Sequence, residues 1–526
     1  SRPAGGTGDL RGYGDLTLVG GGLTLERRLW DGRVGVLVGA RRSGIDFITS
    51  QRELWPQQDD VGGRSFALPD QYADVVGRVD IGLGNNSHLE VSAIWERDWI
   101  TDSLERGGPA YNDFSWGNAA GRATLDIPLL GAYTRHTVAW SHFFVRVLQT
   151  EDRPNVSLYN WDQPTQMNSD GRIDYLALLG EFGSVIPEED EAGWRAGYQI
   201  TLNRSKYDGA PQSPHPFQMH VGPLIVNERL VVVSGWGETR LKPTRRITMQ
   251  GGVRVDGTTS RLEGGRFNIA PQVSARYSAT EDLSFSSTFG RSYQYVQALA
   301  PAGLTVGPGL AVSHIWRLAG DSIPPLQSDV VTVGAEYWLN DEWLASTSIY
   351  ARRTAEMTLV DPTPGPKQIR PRTVLGVNEA RGFEVSIRRI AGRVTMSANY
   401  SLGYSDIEAA RLRFPASSDR RHTIDVTGAW KVPRTFLGGN VRLVAAHTAA
   451  SGAPYTRVHP GYYVCDFVED YCIEYVPDIL ELPNATRAPW YSAVDLLAEW
   501  SRVYSKWRFA LHIEVRNLLN RRNDIT

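Results

Sequence analysis

A single large antiparallel β-barrel that crosses a lipid bilayer on its strands is the fold class this sequence predicts, on three observations. Apolar and polar residues alternate with period two in window after window. The connections between those windows alternate between short and long. No stretch approaches the roughly 20 consecutive apolar residues of a membrane-crossing helix. The 526 residues carry 55 basic and 58 acidic side chains, a net charge of −3, so no overall basic field points to nucleic acid. Hydrophobic residues are 41% and mean hydropathy is −0.30. A soluble protein shares those values with a transmembrane barrel, whose strands are apolar on one side only. Glycine at 52, tryptophan at 16 and tyrosine at 22, against 5 methionines, fit a turn-rich β-protein with aromatic residues at membrane interfaces.

The alternation sets the strands. In residues 393–402, Val394, Met396, Ala398, Tyr400 and Leu402 share one face while Arg393, Thr395, Ser397, Asn399 and Ser401 share the other. Residues 507–516 repeat this with Trp507, Phe509, Leu511, Ile513 and Val515 on one face, and residues 246–256 with Ile247, Met249, Val253 and Val255. Each window has about the 9–11 residues with which a tilted strand crosses a bilayer. Extended along the chain, the pattern predicts 20 strands, near 15–28, 33–42, 71–83, 88–98, 115–129, 133–149, 170–185, 192–206, 226–241, 245–256, 266–279, 282–294, 328–339, 342–355, 375–389, 393–405, 419–431, 435–449, 489–501 and 506–518.

Tight connections are expected at 30–33, 84–87, 131–132, 242–244, 340–341, 391–392, 432–434 and 502–505, and long ones near 43–70, 98–114, 151–169, 207–224, 295–326, 356–374, 406–418 and 450–488. Only 257–265 is a modest member of the long class. Outer-membrane barrels have this asymmetry, with tight periplasmic turns and long extracellular loops. Trp30, Trp338, Trp343, Trp430, Trp500 and Trp507 cluster at the tight turns, as a periplasmic girdle would. The alternative is that they are core tryptophans of a soluble β-protein.

Cys465 and Cys472 are the only two cysteines. Zinc would need more ligands than this pair offers, and no histidine cluster sits beside it. The pair therefore predicts a disulfide within one surface loop, and an oxidising compartment. No hydrolytic or redox constellation is visible, so neither an enzyme nor a metal or other cofactor is expected. His422 and His512 read as surface or lumen residues. Gly20, Gly21 and Gly22 lack the strand–loop–helix setting of a phosphate loop, and are expected to mark a weak point of a strand or a close backbone approach.

Several strands carry words that resemble the TonB-dependent receptor family, particularly its Bacteroidetes-type branch. Residues 515–523, containing Asn517-Leu518-Leu519-Asn520, resemble the "NLFN" motif near that family's C-terminus, with Leu519 in place of the usual phenylalanine. Ser451-Gly452-Ala453-Pro454-Tyr455-Thr456 resembles "SGxPYT", and Asp419-Arg420-Arg421-His422 resembles the "DRRH" of the preceding strand. Gly39-Ala40-Arg41-Arg42-Ser43 is similar to an early "RRSY" strand, although Gly44 stands where tyrosine is commoner. Phe289-Gly290-Arg291-Ser292-Tyr293-Gln294 is similar to a "GxxYQ" strand end.

The resemblance implies a 22-stranded outer-membrane barrel around an N-terminal plug. It also implies a scarce ligand captured outside the cell, and an inner-membrane TonB energy-coupling complex that acts through the plug. Residues 1–526 then form one barrel domain lacking the plug and the first and last strands. Ser1, with no methionine or secretory signal before it, fits a processed or partial product. The tight connections at 30–33 and 502–505 are expected to place both Ser1–Tyr13 and Asn520–Thr526 at the extracellular rim, bordering a seam. The rival readings are a plugless porin-like channel, or a docking barrel that contacts other surface proteins. Besides lipid, the partner is a small ligand whose identity the residues do not reveal.

The best recognition candidate is the 450–488 loop, where Tyr455, Tyr462, Tyr463, Phe467, Tyr471 and Tyr475 lie among Asp466, Glu469, Asp470, Glu474 and Asp478. Aromatic rings offer contact area at low entropic cost, and a cross-link lowers the cost of ordering the loop. The bland alternative is a solvated cap. The Pro-rich 295–326 loop reads as a stiff lid or a surface loop. Arg78, Asp80, Arg254, Asp256, Arg352, Glu384, Arg508 and Glu514 are expected to face the lumen.

Overall fold

The computed structural model describes residues 9–523 except 18–19, 45–70, 105–109, 130–131, 152–164, 185–191, 213–223, 259–266, 300–314, 321–322, 364–372, 458, 467–470 and 479–480. Its strands, in chain order, are β1 (Arg11–Thr17), β2 (Gly20–Leu29), β3 (Val34–Ser43), β4 (Gln71–Gly84), β5 (Ser87–Leu104), β6 (Ala110–Leu129), β7 (Ala132–Glu151), β8 (Thr165–Ser184), β9 (Gly193–Gln212) and β10 (Leu224–Thr244). There follow β11 (Ile247–Thr258), β12 (Phe267–Ser278), β13 (Leu283–Gln294), β14 (Val296–Leu299), β15 (Ile315–Leu318), β16 (Leu326–Asn340), β17 (Trp343–Val360), β18 (Thr373–Arg389), β19 (Val394–Ala409) and β20 (Leu412–Pro415). The last eight are β21 (His422–Lys431), β22 (Asn440–Ala450), β23 (Pro454–Tyr455), β24 (His459–Asp466), β25 (Tyr471–Asp478), β26 (Thr486–Arg487), β27 (Tyr491–Val503) and β28 (Arg508–Val515). Among the described residues there is no helix.

One sheet holds 22 strands. All but β20 run as a meander in which each strand pairs antiparallel with the next, and β20 folds back as a flange on the tip of β19. The sheet is open: β1 and β28 share no ladder. Three small hairpins lie outside it, β14–β15, β23–β26 and β24–β25.

The alternation predicted from sequence is what the sheet displays. On β9 the side chains of Thr201, Asn203, Ser205 and Tyr207 are buried on one face while Ile200 and Leu202 are exposed on the other. On β10, Val226, Leu230, Val232 and Ser234 are buried and Ile225, Val233 and Leu241 are exposed. The exposed apolar side chains form one outer face, and polar networks line the inner one. An apolar surface of this extent is untenable in water and natural in lipid. Arg78, Asp80, Arg254, Asp256, Arg352, Glu384, Arg508 and Glu514 share the register of the inner face. Trp30, Trp430 and Trp507 are exposed beside the short turns, and Trp507 stacks on Tyr504 at 4.0 Å.

From β2 onward, short and long connections alternate between opposite ends of the meander, whereas only two residues separate β1 from β2 at the long-loop end. The short-turn end includes Asn85–Asn86, both at positive φ (50° and 58°), the type I′ arrangement that matches strand twist. Strands β6 to β10 run 20 or 21 residues, well beyond the length expected, while β12 and β13 have 12, β21 has 10 and β22 has 11.

The start of the chain corrects the expected first strand. Residues 15–28 are not one strand; β1 and β2 are two, paired antiparallel from Thr17 opposite Gly20 to Arg11 opposite Glu26. Tyr13 therefore sits opposite Thr24, down the sheet from the long-loop end. The expectation of the whole segment at the rim fails there. Gly20 is a close approach of backbones: a Cβ would lie 2.6 Å from the carbonyl oxygen of Arg42. At the other end of the chain, Asn523 exchanges hydrogen bonds of 3.0 and 2.9 Å with the Ser492 backbone, at the long-loop end as expected.

Candidate functional site

Three structures are candidates, two of them at or near the long-loop end and the third along the inner wall. The first is a clamp at the base of the 451–490 loop. Asp419 is buried and accepts the Ser405 N–H at 3.0 Å and the guanidinium of Arg487. Arg487 also donates to the Asp419 carbonyl at 2.8 Å and the Gly452 carbonyl at 3.4 Å. Ser451 Oγ accepts the His422 N–H at 3.0 Å, and Ala488 N donates to Ala453 O at 2.9 Å. Two sequence words some thirty residues apart thus meet through one arginine that lay in neither.

Gly452 is obligatory here, because a Cβ would fall 1.6 Å from the Ala488 carbonyl oxygen. Asn484 ties the loop to the rim through the Pro415 carbonyl, at 2.8 Å. Arg457 donates its backbone N–H to Glu481 at 2.7 Å and its guanidinium at 3.2 Å. That backbone hydrogen bond, with the guanidinium beside it, holds the half-buried Glu481 carboxyl below the ordinary carboxylate range.

Above the clamp stands the tyrosine-rich hairpin. Tyr455 is half-buried at the loop base, in register with Thr486. In β24–β25 the backbone sets Tyr463 opposite Tyr475, Tyr462 opposite Val476 and Asp466 opposite Tyr471. Cys465 and Cys472 are likewise register partners. Phe467 and the side chains of Tyr462, Tyr463, Tyr471, Tyr475, Cys465 and Cys472 lie outside the described residues. No disulfide is seen among the described residues, so the expected cross-link rests on backbone register alone.

The second structure is the β14–β15 hairpin, which sequence reasoning left as a lid or a surface loop. It folds onto the inner wall. Leu318 and Ala319 are buried against Leu230 and Val232 of β10, with Tyr295 and Val296 packed beside them, and Ile315 joins Tyr207 and Val226. Arg317 pairs with Glu228 at 2.7 Å, and the same carboxylate accepts the Leu318 N–H at 2.7 Å. Fully buried Ser205 donates to the Trp316 carbonyl at 2.5 Å. Gln297 bridges the Pro324 carbonyl and β17, donating at 2.9 Å and accepting the Thr358 N–H at 2.9 Å. The signal was present in the sequence: Ile315, Trp316 and Leu318 are an apolar run in a loop that should have been solvated.

The third is the polar lining. At the rim Arg41 pairs with Asp74 at 2.8 Å in a shallow inner cleft with Tyr72, Glu96 and Asp98. At mid-height Arg254 holds Asp256 at 2.7 Å, Gln199 at 3.0 Å and Ser234 at 2.8 Å, and Tyr295 donates to Asp256 at 2.9 Å. Near the short turns Asp80, His88 and Glu90 approach as metal ligands do. The Arg78 guanidinium already bridges the two carboxylates, at 2.9 Å to each, and Arg122 adds a second cation to Glu90 at 2.6 Å. Of the two histidines singled out from sequence, His422 stacks between Tyr400 and Trp490 on the outer face, and His512 shares the inner face with Arg508 and Glu514.

A family model described as TonB dependent receptor-like, beta-barrel matches residues 30–518. The match is to the family as a whole, not to a branch of it. No curated protein matches the chain in sequence. Among solved structures, BauA, the ferric preacinetobactin receptor from Acinetobacter baumannii, aligns with a TM-score of 0.62 at 14% identity, over 97% of this chain and 75% of that one. The ferripyoverdine receptor of the outer membrane of Pseudomonas aeruginosa aligns with a TM-score of 0.64 at 10% identity, over 99% and 69%. Fiu, the ferric-catecholate import receptor from K12 E. coli, gives 0.59 at 14%, over 97% and 77%. At these identities the likeness is one of fold.

Proposed function

We propose, from the premise that the chain belongs to the TonB-dependent receptor-like β-barrel family and hence to the outer membrane of Gram-negative bacteria, that it is the barrel of a receptor importing a scarce ferric-siderophore-class ligand. The short-turn end is then periplasmic and the long-loop end extracellular. The observation that carries the reading is the furnished mouth. A tyrosine-rich hairpin extends from a clamped loop base, and a second hairpin is packed on the inner wall. A passive pore has no use for an aromatic hairpin on a loop whose base is clamped to its rim. Residues Tyr455, Tyr462, Tyr463, Phe467, Tyr471 and Tyr475 supply the ligand contacts in this proposal. In this proposal coupling to TonB runs through a plug.

The ligand class is supported by the relatives, a ferric preacinetobactin receptor, a ferripyoverdine receptor and a ferric-catecholate import receptor. The test uses the full-length protein in outer membranes, with a panel of catecholate and hydroxamate ferric siderophores as probes. One probe is expected to bind saturably, to lose about tenfold or more in affinity when Tyr463 and Tyr475 are both replaced by alanine, and to be taken up only when TonB is present. Uptake that is unsaturable and indifferent to TonB would instead establish the porin reading.

The proposal includes a Cys465–Cys472 disulfide, supported by their register across the hairpin. Closing so short a loop is expected to contribute about 2–3 kcal/mol to hairpin order. Both thiols should resist maleimide until the folded protein is reduced; immediate labelling of either would remove the cross-link from this picture.

A further inference from the structure

The outer face of β5 to β10 carries a second feature that the transport reading does not use. On β8 and β9 the exposed apolar residues stop at a common height and a band of charge begins, while on β10 Ile225 is exposed above it. Leu176 and Leu178 on β8, Ile200 and Leu202 on β9 and Trp140 on β7 are exposed on the lipid side. The next outward positions away from the periplasm are Asp174 and Arg172, Arg204 and Lys206, and His142.

The sheet register gathers these into rows. Arg97, Gly117, Phe144, Arg172, Lys206 and Asn227 are successive cross-strand partners, and His142, Asp174, Arg204 and Arg229 form the row beneath. With Arg146, Asp170 and Asp208 of the row above, six cations face three carboxylates. Arg97, His142, Phe144, Arg146 and Arg172 line one shallow cleft.

Height identifies what meets this band. Arg97, Arg172, Arg204 and Lys206 lie 10 to 13 residues from the periplasmic ends of their strands. At about 3.3 Å per residue and a tilt near 45°, that is roughly 25–30 Å, the top of an apolar band about 25 Å tall. Side chains pointing outward there meet the headgroups of the outer leaflet.

The cations are also incompletely matched. Arg97 lies over the rings of Trp99 and Phe144, at 5.5 and 5.9 Å, and no carboxylate faces it among the described residues. The Nε of Arg204 is buried without a hydrogen-bond partner among the described residues. Asp170 is shared by Arg172, at 2.8 Å, and Arg146, at 3.4 Å. Elsewhere on the sheet two outward arginines are each matched by a carboxylate, Arg291 with Asp329 at 2.7 Å and Arg353 with Glu379 at 3.9 Å.

We propose that the outer face of β5–β10 is a docking site for the phosphorylated headgroup of an anionic outer-leaflet lipid, held by Arg97, Arg172, Arg204 and Lys206 above the apolar belt. The lipid's acyl chains lie against Trp140, Leu178 and Ile200, and its phosphates take the donors that Asp170 and Asp174 leave unmatched. The occupant is a membrane lipid and not a free anion, because the band is continuous with the lipid-facing surface.

The test titrates full-length protein in a neutral maltoside detergent with phosphatidylglycerol, phosphatidylcholine and inorganic phosphate, reading bound lipid by native mass spectrometry. Phosphatidylglycerol is expected to bind, with phosphatidylcholine and inorganic phosphate at least tenfold weaker. The triple variant Arg97→Gln, Arg204→Gln, Lys206→Gln should lose about a hundredfold, at about fivefold per headgroup-facing cation. The matching Arg97→Lys, Arg204→Lys variant should keep most of the binding, and Arg291→Gln elsewhere on the sheet should keep all of it. Heat-modified migration on gels confirms that each variant is folded. Equal binding of neutral and anionic lipid, undiminished binding by the folded triple variant, or equal loss from Arg291→Gln would each overturn the proposal.

Discussion

Replacing Gly452 with alanine is expected to free the 451–490 loop from the rim and abolish high-affinity ligand binding while the barrel stays folded. The added Cβ would lie 1.6 Å from the Ala488 carbonyl oxygen and 2.4 Å from its carbonyl carbon, against the roughly 3.5 Å that non-bonded heavy atoms require. Both atoms are backbone, so no rotamer change relieves the clash. The β23–β26 pairing and the Ala488–Ala453 hydrogen bond must part, and Arg487 is drawn away from Asp419. Overpacking alone costs about 1–3 kcal/mol. Separating a buried carboxylate from its guanidinium adds about 3–5 kcal/mol. The barrel ladders between β21, β22 and β27 are untouched, so the damage is local. Limited trypsin digestion of intact cells is the measurement. The variant should be cut between β23 and β26 at a protease dose the parent survives, and Asp419→Ala should behave alike. A Gly452→Ala protein as resistant as the parent would mean the clamp does not hold the loop.

Glu228→Ala should detach the lumenal hairpin. One carboxylate pairs with Arg317 and caps the Leu318 N–H, so its removal leaves a guanidinium and a backbone donor unpaired against the wall. The loss is about 3 kcal/mol, in the range for charged hydrogen bonds at partly buried sites. That equals about a hundredfold faster local opening. Hydrogen exchange of the Ile315–Leu318 amides is the readout. They should exchange about a hundredfold faster while amides of the neighbouring β9–β10 ladder remain protected. Glu228→Gln should fall between, because it keeps an acceptor for Leu318 but not the charge for Arg317. Unchanged exchange in Glu228→Ala would show that the apolar packing of Leu318 on Leu230 and Val232 suffices alone.

Much of the fold was legible because a transmembrane strand satisfies one demand repeated many times, apolar on alternate residues for about ten residues, and turns must be tight on one side. Val394 to Leu402 and Trp507 to Val515 show that demand in full, and the ladders follow it. The break between β1 and β2 was not legible because Leu18-Val19, the residues between them in sequence, carry none of the Asn, Asp or Gly signals of a tight hairpin. The clamp was half legible. Asp419, Ser451 and Gly452 stood out within recognisable words, but Arg487, which joins them, lies in no word and becomes meaningful only when the loop closes. The outward cationic band was invisible for a different reason. Its members are scattered from Arg97 to Arg229, and only the register of six strands sets them side by side.

Strand length has a mechanical consequence. Strands β6 to β10 exceed β21 and β22 by about nine residues each. At about 3.3 Å per residue and the usual tilt, this raises one side of the mouth by roughly 20 Å of continuous backbone ladder. Such a ladder deforms little, since bending it means breaking many amide hydrogen bonds together. The low side carries the 451–490 loop, fastened at its base by Arg487 and at Asn484. One side of the mouth is therefore a stiff palisade and the other a low wall that carries a fastened loop. Resistance to bending is concentrated on the palisade side, and deformation of the mouth falls to the lower wall.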